Sequence, residues 1–244
     1  DYVSFIEDNF FLDKERVKKI CEGIINRKLK FNWFAECRAD YFRAGHIDSE
    51  ILGLAKKAGL HTLTIGAESG SPLSLSVMKK DIKVEDIINS AKLCNSAGVI
   101  PVFSFIIGMP GEKQEDNYKT VDLIWKLHYV CPIMCGGVNI FFPYPKCELT
   151  EGLVEKGLLK EPETLREWTG GESINRYINI NFISKKDSQR GWQDNPVLLH
   201  NISYYANFFL RYSEVEARGF LTKLNLKYYP YLFFRVLAKE RIKY

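Results

Sequence analysis

Carboxylates, a guanidinium and bare glycines stand directly behind apolar runs in this sequence. Glu7, Asp8 and Asn9 follow Tyr2 to Ile6, while Glu36, Arg38 and Asp40 close the run that begins at Phe31. Glu68 and Ser69 lie in Gly66-Ala-Glu-Ser-Gly-Ser71, Gly108-Met-Pro-Gly-Glu112 follows Ile100 to Ile107, and Tyr144 follows Val138 to Phe142. These residue types suit recognition: carboxylates accept hydrogen bonds from hydroxyl and ammonium groups, a guanidinium grips a carboxylate, and glycine lets backbone approach a ligand. No catalytic group is assigned. Strand alternation puts Glu36, Arg38 and Asp40 on one face, so the guanidinium would lie between acids that orient it; the alternative is a solvated charge cluster. It also puts Ser104, Ile106 and Gly108 together, as a shelf for a flat ring or as ordinary small-residue packing.

The elements that must position these residues follow from the apolar pattern. Tyr2 to Ile6, Phe31 to Cys37, His61 to Ala67, Ile100 to Ile107 and Val138 to Phe142 read as strands of a parallel sheet buried on both faces, with Gly136 and Gly137 leading into the fifth. Between them lie helices: one capped by Asp13 with Val17, Ile20, Ile24 and Ile25 inward, Asp48 to Ala58 ending at Gly59, Val84 to Ala97 ending at Gly98, and Gln114 to Tyr129. Strands joined this way require parallel crossovers. The expected fold class is α/β, a parallel (β/α) partial TIM barrel over residues 1–150 with its polar residues at the strands' carboxyl edge. A C-terminal helical appendage, residues 151–244, is expected to hold helices at 153–159, 162–168, 196–212, 213–224 and 228–244 around an irregular stretch from 169 to about 195.

Composition narrows the class. With 34 basic and 30 acidic residues the net charge is +4, which argues for no nucleic-acid partner. No apolar run approaches the ~20 residues of a membrane span, and nothing resembles a signal peptide. The six cysteines form no disulfide framework in a chain of 244 residues, which favours a reducing cytoplasm. The opening, Asp1 followed at once by a strand, reads as a piece of a longer protein.

Taken in order, Phe5-Ile-Glu-Asp-Asn-Phe10, Glu36-Cys-Arg-Ala-Asp40, Gly66-Ala-Glu-Ser-Gly-Ser71, Phe105-Ile-Ile-Gly-Met-Pro-Gly-Glu112 and Pro143-Tyr-Pro145 resemble the radical S-adenosylmethionine (radical SAM) enzymes. The likeness is greatest to the branch that carries an upstream cobalamin-binding domain. It implies a six-unit partial barrel, of which five units stand here as the second to the sixth. It further implies that Glu7, Asp8 and Asn9 hold the methionine ammonium group of S-adenosylmethionine, that Arg38 faces its carboxylate, and that Glu68 and Ser69 contact the ribose. Ile106 and Gly108 to Glu112 match the adenine-side motif, G-x-I-x-G-x-x-E, with two departures: Ser104 replaces the first glycine, and Gly111 takes the place of the glutamate, with Glu112 one later. The family's C-x3-C-x2-C loop, which holds a 4Fe-4S cluster, is absent; Cys131 and Cys135 have its first spacing, but Val138 stands where the third cysteine belongs.

The implied function is that of the carboxyl-terminal part of an enzyme that cleaves S-adenosylmethionine to a 5′-deoxyadenosyl radical. Cobalamin-dependent methyl transfer is the favoured outcome, with methylthiotransferase or cyclase chemistry as rivals, against a non-catalytic barrel that binds a nucleotide-like metabolite. The implied cofactors are S-adenosylmethionine, a 4Fe-4S cluster with upstream ligands, and cobalamin. The implied partners are a small-molecule substrate and an electron donor such as flavodoxin or ferredoxin, and the chain by itself is expected to be inactive.

Overall fold

The computed structural model describes residues 2–43, 45–159, 164, 192–193 and 195–212. The helices expected at 213–224 and 228–244, and all but a few residues of the stretches expected at 162–168 and 169–195, lie outside these residues. In chain order the strands are β1 (Tyr2–Ser4), β2 (Asn32–Arg38), β3 (Leu60–Glu68), β4 (Ile100–Ile107) and β5 (Cys135–Ile140). The helices are α1 (Lys14–Asn26), α2 (Ser49–Lys57), α3 (Pro72–Val77), α4 (Val84–Ala97), α5 (Gln114–Val130), α6 (Glu148–Glu155) and α7 (Pro196–Tyr212), with single 3₁₀ turns at Phe10–Leu12 and Ala39–Phe42.

Every strand pairs in parallel with the next in sequence, giving the order β1-β2-β3-β4-β5 and a half-barrel with helices between the strands. The helix ends obey local chemistry. Asp13 accepts from the Arg16 amide at 3.0 Å and Asp48 from the Ile51 amide at 2.9 Å, while Gly59 and Gly98 turn the chain at φ +99° and +68°.

The strands are not buried on both faces, contrary to the expectation from their apolar runs. Burial alternates: Pro101, Phe103, Phe105 and Ile107 of β4 are buried, whereas Ile100, Val102, Ser104 and Ile106 are only partly covered. The buried set of β2, β3 and β4 packs against Val17, Cys21, Ile51, Leu52, Ile87, Ala91, Ile124 and Leu127 of the helices in one continuous core. Among the described residues α1, α2, α4 and α5 cover one side of the curved sheet, while the inner face is only partly covered, by the cluster of Met109, Phe141 and Leu153 against Ile106. Each fully buried Leu, Ile or Phe contributes roughly 1.5–3 kcal/mol, so this one-sided core carries the fold.

Four further expectations are corrected. β1, read as a buried strand, is exposed throughout because it is an edge strand with no neighbour on its far side among the described residues. β5 begins at Cys135, with Gly136 and Gly137 inside it. A Cβ at Gly136 would stand 2.1 Å from the Phe103 carbonyl oxygen, so that glycine serves close strand approach. α6 begins at Glu148 instead of Leu153. α3 was not expected, although Ser71 caps it and Pro72 opens it.

The opposite edge of the sheet is closed by α7. Leu198, Leu199, Ile202, Ala206 and Leu210 enter the main core. Asn207 Oδ1 accepts from the Val138 amide at 2.7 Å, Asn207 Nδ2 donates to the Val138 carbonyl at 2.9 Å, and Ser203 Oγ donates to the same carbonyl at 2.8 Å. A side-chain amide thus satisfies backbone groups of β5 that would otherwise offer a strand a template.

Candidate functional site

The sheet register brings Arg38, Gly66, Ser104 and Gly137 into one row across β2 to β5, near the strands' carboxyl ends. Beneath it runs Glu36, Thr64, Val102 and Cys135. The upper row carries little side-chain bulk of its own beyond Arg38, while the Glu68 carboxylate lies over Gly66 and Asn207 Oδ1 lies near Gly137.

Arg38 is held by the 3₁₀ turn that follows β2. Its Nε donates to Asp40 Oδ1 at 2.9 Å and its Nη2 to Asp40 Oδ2 at 3.0 Å, a two-pronged pair that raises the guanidinium pKa and leaves Nη1 uncommitted among the described residues. Glu36 does not share in this arrangement: two residues back along an extended strand is about 6.6 Å, and it stays exposed without an ion pair among the described residues. The expected three-residue cluster is therefore a pair, with Asp40 as the orienting acid.

Glu68 closes β3 in a left-handed conformation at φ +62°, where the register with β4 shifts. Such a conformation costs a non-glycine residue on the order of 1–3 kcal/mol and concentrates at functional sites. The carboxylate folds back over Gly66, where a Cβ would stand 2.8 Å from Oε1, and Oε1 lies 3.0 Å from Lys80 Nζ. Ser69 is fully buried; its hydroxyl shares a 3.0 Å hydrogen bond with Thr120 and accepts from the Ser71 amide at 3.1 Å. Its hydrogen-bonding capacity is thus used inside the turn. Gly70 donates to Thr120 Oγ1 at 3.0 Å and sits so close to α5 that a Cβ would meet the Lys119 carbonyl at 2.3 Å.

The turn after β4 is braced in a similar way. Glu112 is 4% exposed, accepts from Ser74 Oγ at 2.6 Å and from the Met109 amide at 3.0 Å, and accepts also from the Gly108 amide. Burial pushes its carboxyl pKa up, an effect that these donors only partly offset. Glu112 thus holds the turn from behind. Gly108 bends at φ +77°, where a Cβ would press on Leu199 at 2.7 Å. Ile106, on the inner face, packs with Met109, Phe141 and Leu153. Tyr144 is exposed, its ring edge-on to Phe142.

Behind β1, Glu7 pairs with Arg16 through Nη1–Oε1 at 3.1 Å and Nη2–Oε2 at 2.5 Å, and the same guanidinium lies over the Phe10 ring. Asp8 is exposed. Asn9 differs: its Oδ1 is buried without a hydrogen-bond donor among the described residues. A buried acceptor left open calls for a donor, and an ammonium group is a suitable one. Asn9 Oδ1 can thus accept from an ammonium group, and Arg38 Nη1 can donate to a carboxylate.

The cysteines do not fit a cluster. Cys21, Cys37, Cys94 and Cys131 are buried, and burial pushes the Cys21 thiol up to about 11. Cys147 stands at the N-cap position of α6; burial raises its pKa, but the Thr150 hydroxyl and backbone donors outweigh that and lower it. Among the described residues no group of three His, Cys, Asp or Glu side chains is placed to hold a metal ion. No described helix is long and apolar enough to cross a membrane. A recess of about 410 Å³ lined by Leu29, Lys30, Phe31, Lys57 and Gly59 lies at the sheet's amino edge, away from all the residues above.

Sequence reasoning passed over Ser74, Lys80, Asp116 and Thr120. The capped Ser71-Pro72 start of a helix pointed toward Ser74, whereas nothing local marked Thr120 as the partner of a turn fifty residues earlier.

The family model described as the Radical SAM superfamily matches residues 5–124. An uncharacterized methyltransferase of Pyrococcus horikoshii is 31% identical over 157 residues, which is 64% of this chain and 32% of that protein. An anaerobic magnesium-protoporphyrin IX monomethyl ester cyclase of Rubrivivax gelatinosus is 26% identical over 148 residues, 59% of this chain and 25% of the cyclase. The chain therefore spans a third or less of the length of these relatives. Among solved structures, the radical S-adenosylmethionine methyltransferase TsrM from Kitasatospora setae, with cobalamin and a 4Fe-4S cluster bound, superposes with a TM-score of 0.54 at 19% identity, over 64% of this chain and 30% of TsrM. That likeness speaks for the fold alone, the half-barrel seen here. The sequence match identifies residues 5–124 with the radical SAM superfamily.

Proposed function

We propose that the open mouth binds S-adenosylmethionine and that the chain is the carboxyl-terminal part of a radical SAM enzyme that performs cobalamin-dependent methyl transfer. The observation that carries this reading is the row Arg38, Gly66, Ser104 and Gly137, in which a clamped guanidinium, its Nη1 uncommitted among the described residues, borders a strip of small residues. In this reading Arg38 binds the cofactor carboxylate, and Asn9 Oδ1, with Glu7 and Asp8 nearby in sequence, receives the ammonium group. Glu68 accepts from the ribose hydroxyls, and Ile106 with the Gly108 turn backs the adenine. Glu36, Ser69, Glu112 and Tyr144 complete the set around the mouth, Ser69 and Glu112 from within its walls.

S-adenosylmethionine, when reduced beside an iron-sulfur cluster, supplies the 5′-deoxyadenosyl radical; this chain's residues bind, orient and exclude water. The described residues offer no three-thiolate set, so the cluster ligands are assigned to sequence upstream of Asp1. That placement suits the exposed edge at β1, where a further parallel strand can pair. The barrel is assigned to residues 1–150 and the C-terminal helical region to 151–244. A small-molecule substrate, an electron donor such as flavodoxin or ferredoxin, and a cytoplasmic setting complete the reading. Cyclase chemistry is the second reading, favoured by the likeness to the Rubrivivax gelatinosus cyclase.

Calorimetric titration with S-adenosylmethionine tests the site. Arg38→Ala is expected to weaken binding by about 1.5–3 kcal/mol, the worth of a charge-assisted hydrogen bond. Unchanged affinity in a folded variant would remove Arg38 from the site. Anaerobic assay of a chain extended upstream, with 5′-deoxyadenosine and methylated product as readouts, tests the reaction.

A further inference from the structure

We propose that Ser74 and Glu112 are positioning residues: a buried brace that sets the backbone of the Gly108–Glu112 turn against the flat ring of an adenosyl ligand. This rests on the reading of the mouth as the S-adenosylmethionine site. Ser74 lies on α3, outside the five short motifs that carry the family resemblance.

The brace is one carboxylate shared by two turns. One oxygen of Glu112 takes the amides of Gly108 and Met109, fixing a turn that contains two left-handed glycines, Gly108 at φ +77° and Gly111 at φ +83°. The other oxygen takes the Ser74 hydroxyl at 2.6 Å. Ser74 belongs to α3, which is capped by Ser71, the last residue of the turn after β3. That turn is tied in its own right to α5, through Ser71 Oγ to Asp116 at 2.8 Å and through Gly70 to Thr120 at 3.0 Å, and α5 starts two residues after Glu112. The connections therefore close a ring: the turn after β3, α3, Glu112, α5, and back to the first turn.

Its cost argues that it serves a purpose. Glu112 is 4% and Ser74 1% exposed, and no cation pairs with the carboxylate among the described residues; the neighbouring charge is Asp116, which opposes ionisation. Burying an unpaired carboxylate is expensive, and a chain shaped by stability alone would place an apolar side chain there. The carboxylate instead orients two amides at the turn where the ring is expected to lie, which an apolar residue cannot do.

The test compares two probes, S-adenosylmethionine and 5′-methylthioadenosine, which keeps the adenosyl part and lacks the amino-acid end. Both are titrated calorimetrically into this chain, and into its Ser74→Ala, Glu112→Gln and Arg38→Ala variants. The brace variants are expected to weaken both probes by the same factor, about tenfold, the value of one lost hydrogen bond to a charged group. Arg38→Ala is expected to weaken only S-adenosylmethionine. Unchanged affinities in the brace variants, or a loss confined to one probe, would overturn the proposal. Amide hydrogen exchange on the unaltered chain tests the brace without relying on variants that fold. The Gly108 and Met109 amides should be protected before ligand is added, and fast exchange there would sink the proposal. If the unaltered chain binds neither probe, the ligand reading fails and the brace proposal with it; binding without a brace effect refutes the brace alone.

Discussion

Replacing Glu68 by glycine should give a more stable protein than replacing it by alanine, the reverse of the order found at an ordinary strand position. Both substitutions remove the carboxylate and its contact with Lys80, a pair whose lysine is 41% exposed and whose worth is therefore small. What separates the two is the backbone at φ +62°. A left-handed conformation costs a residue with a Cβ about 1–2 kcal/mol. Against this, glycine loses about 0.4–1 kcal/mol through the greater freedom of its unfolded chain. The difference leaves glycine ahead by roughly 0.5–1 kcal/mol, which in a chain of this size shifts the melting temperature by about 1–4 °C. Urea unfolding followed by tryptophan fluorescence, to which the fully buried Trp33 is one of four contributors, reads this. Alanine equal to or more stable than glycine would show that position 68 is not strained in solution, and would take away the structural reason for assigning it a functional role. Both variants should also bind S-adenosylmethionine less well than the parent, so that glycine separates stability from binding.

Other consequences follow from particular contacts. Asn207→Leu leaves the Val138 amide buried without an acceptor and should cost about 1–3 kcal/mol, with self-association through the opened β5 edge visible by sedimentation; a monomer of unchanged stability would refute the edge-sealing role. Asp40→Asn keeps the shape but loses the charge that fixes Arg38, so S-adenosylmethionine affinity should fall less than in Arg38→Ala; a fall as large would mean that Asp40 itself meets the ligand. Cys147, partly exposed and with its thiol pKa lowered, should react with iodoacetamide ahead of the buried cysteines, and its rate should rise with pH through a midpoint below the ordinary thiol value; mass spectrometry showing Cys21 or Cys94 modified first would contradict this.

Strands, helices and the parallel order were legible in the sequence because each rests on local chemistry. The Asp13 and Asp48 caps, the glycine stops at Gly59 and Gly98, and the apolar strand at Ile100–Ile107 act within a few residues, and all appear where the pattern puts them. The gathering of polar residues at one edge was legible too, since a parallel sheet sends every strand's end the same way. Tertiary structure decided which groups stay available. Arg38 is matched by Asp40 and not Glu36, and Glu7 by Arg16, because the turns after β2 and β1 set those side-chain directions; Ser69 and Glu112 turn inward because the fold brings Thr120 and Ser74 to them from 51 and 38 residues away. The apolar runs also overstated burial, since a run of Ile, Val and Phe states what a strand can bury but not that, among the described residues, one face of this sheet is covered fully and the other only in part. The closing of the β5 edge by Asn207, sixty-nine residues from Val138, lay beyond any local pattern, because a side-chain amide takes up backbone groups only once the fold has brought the two together.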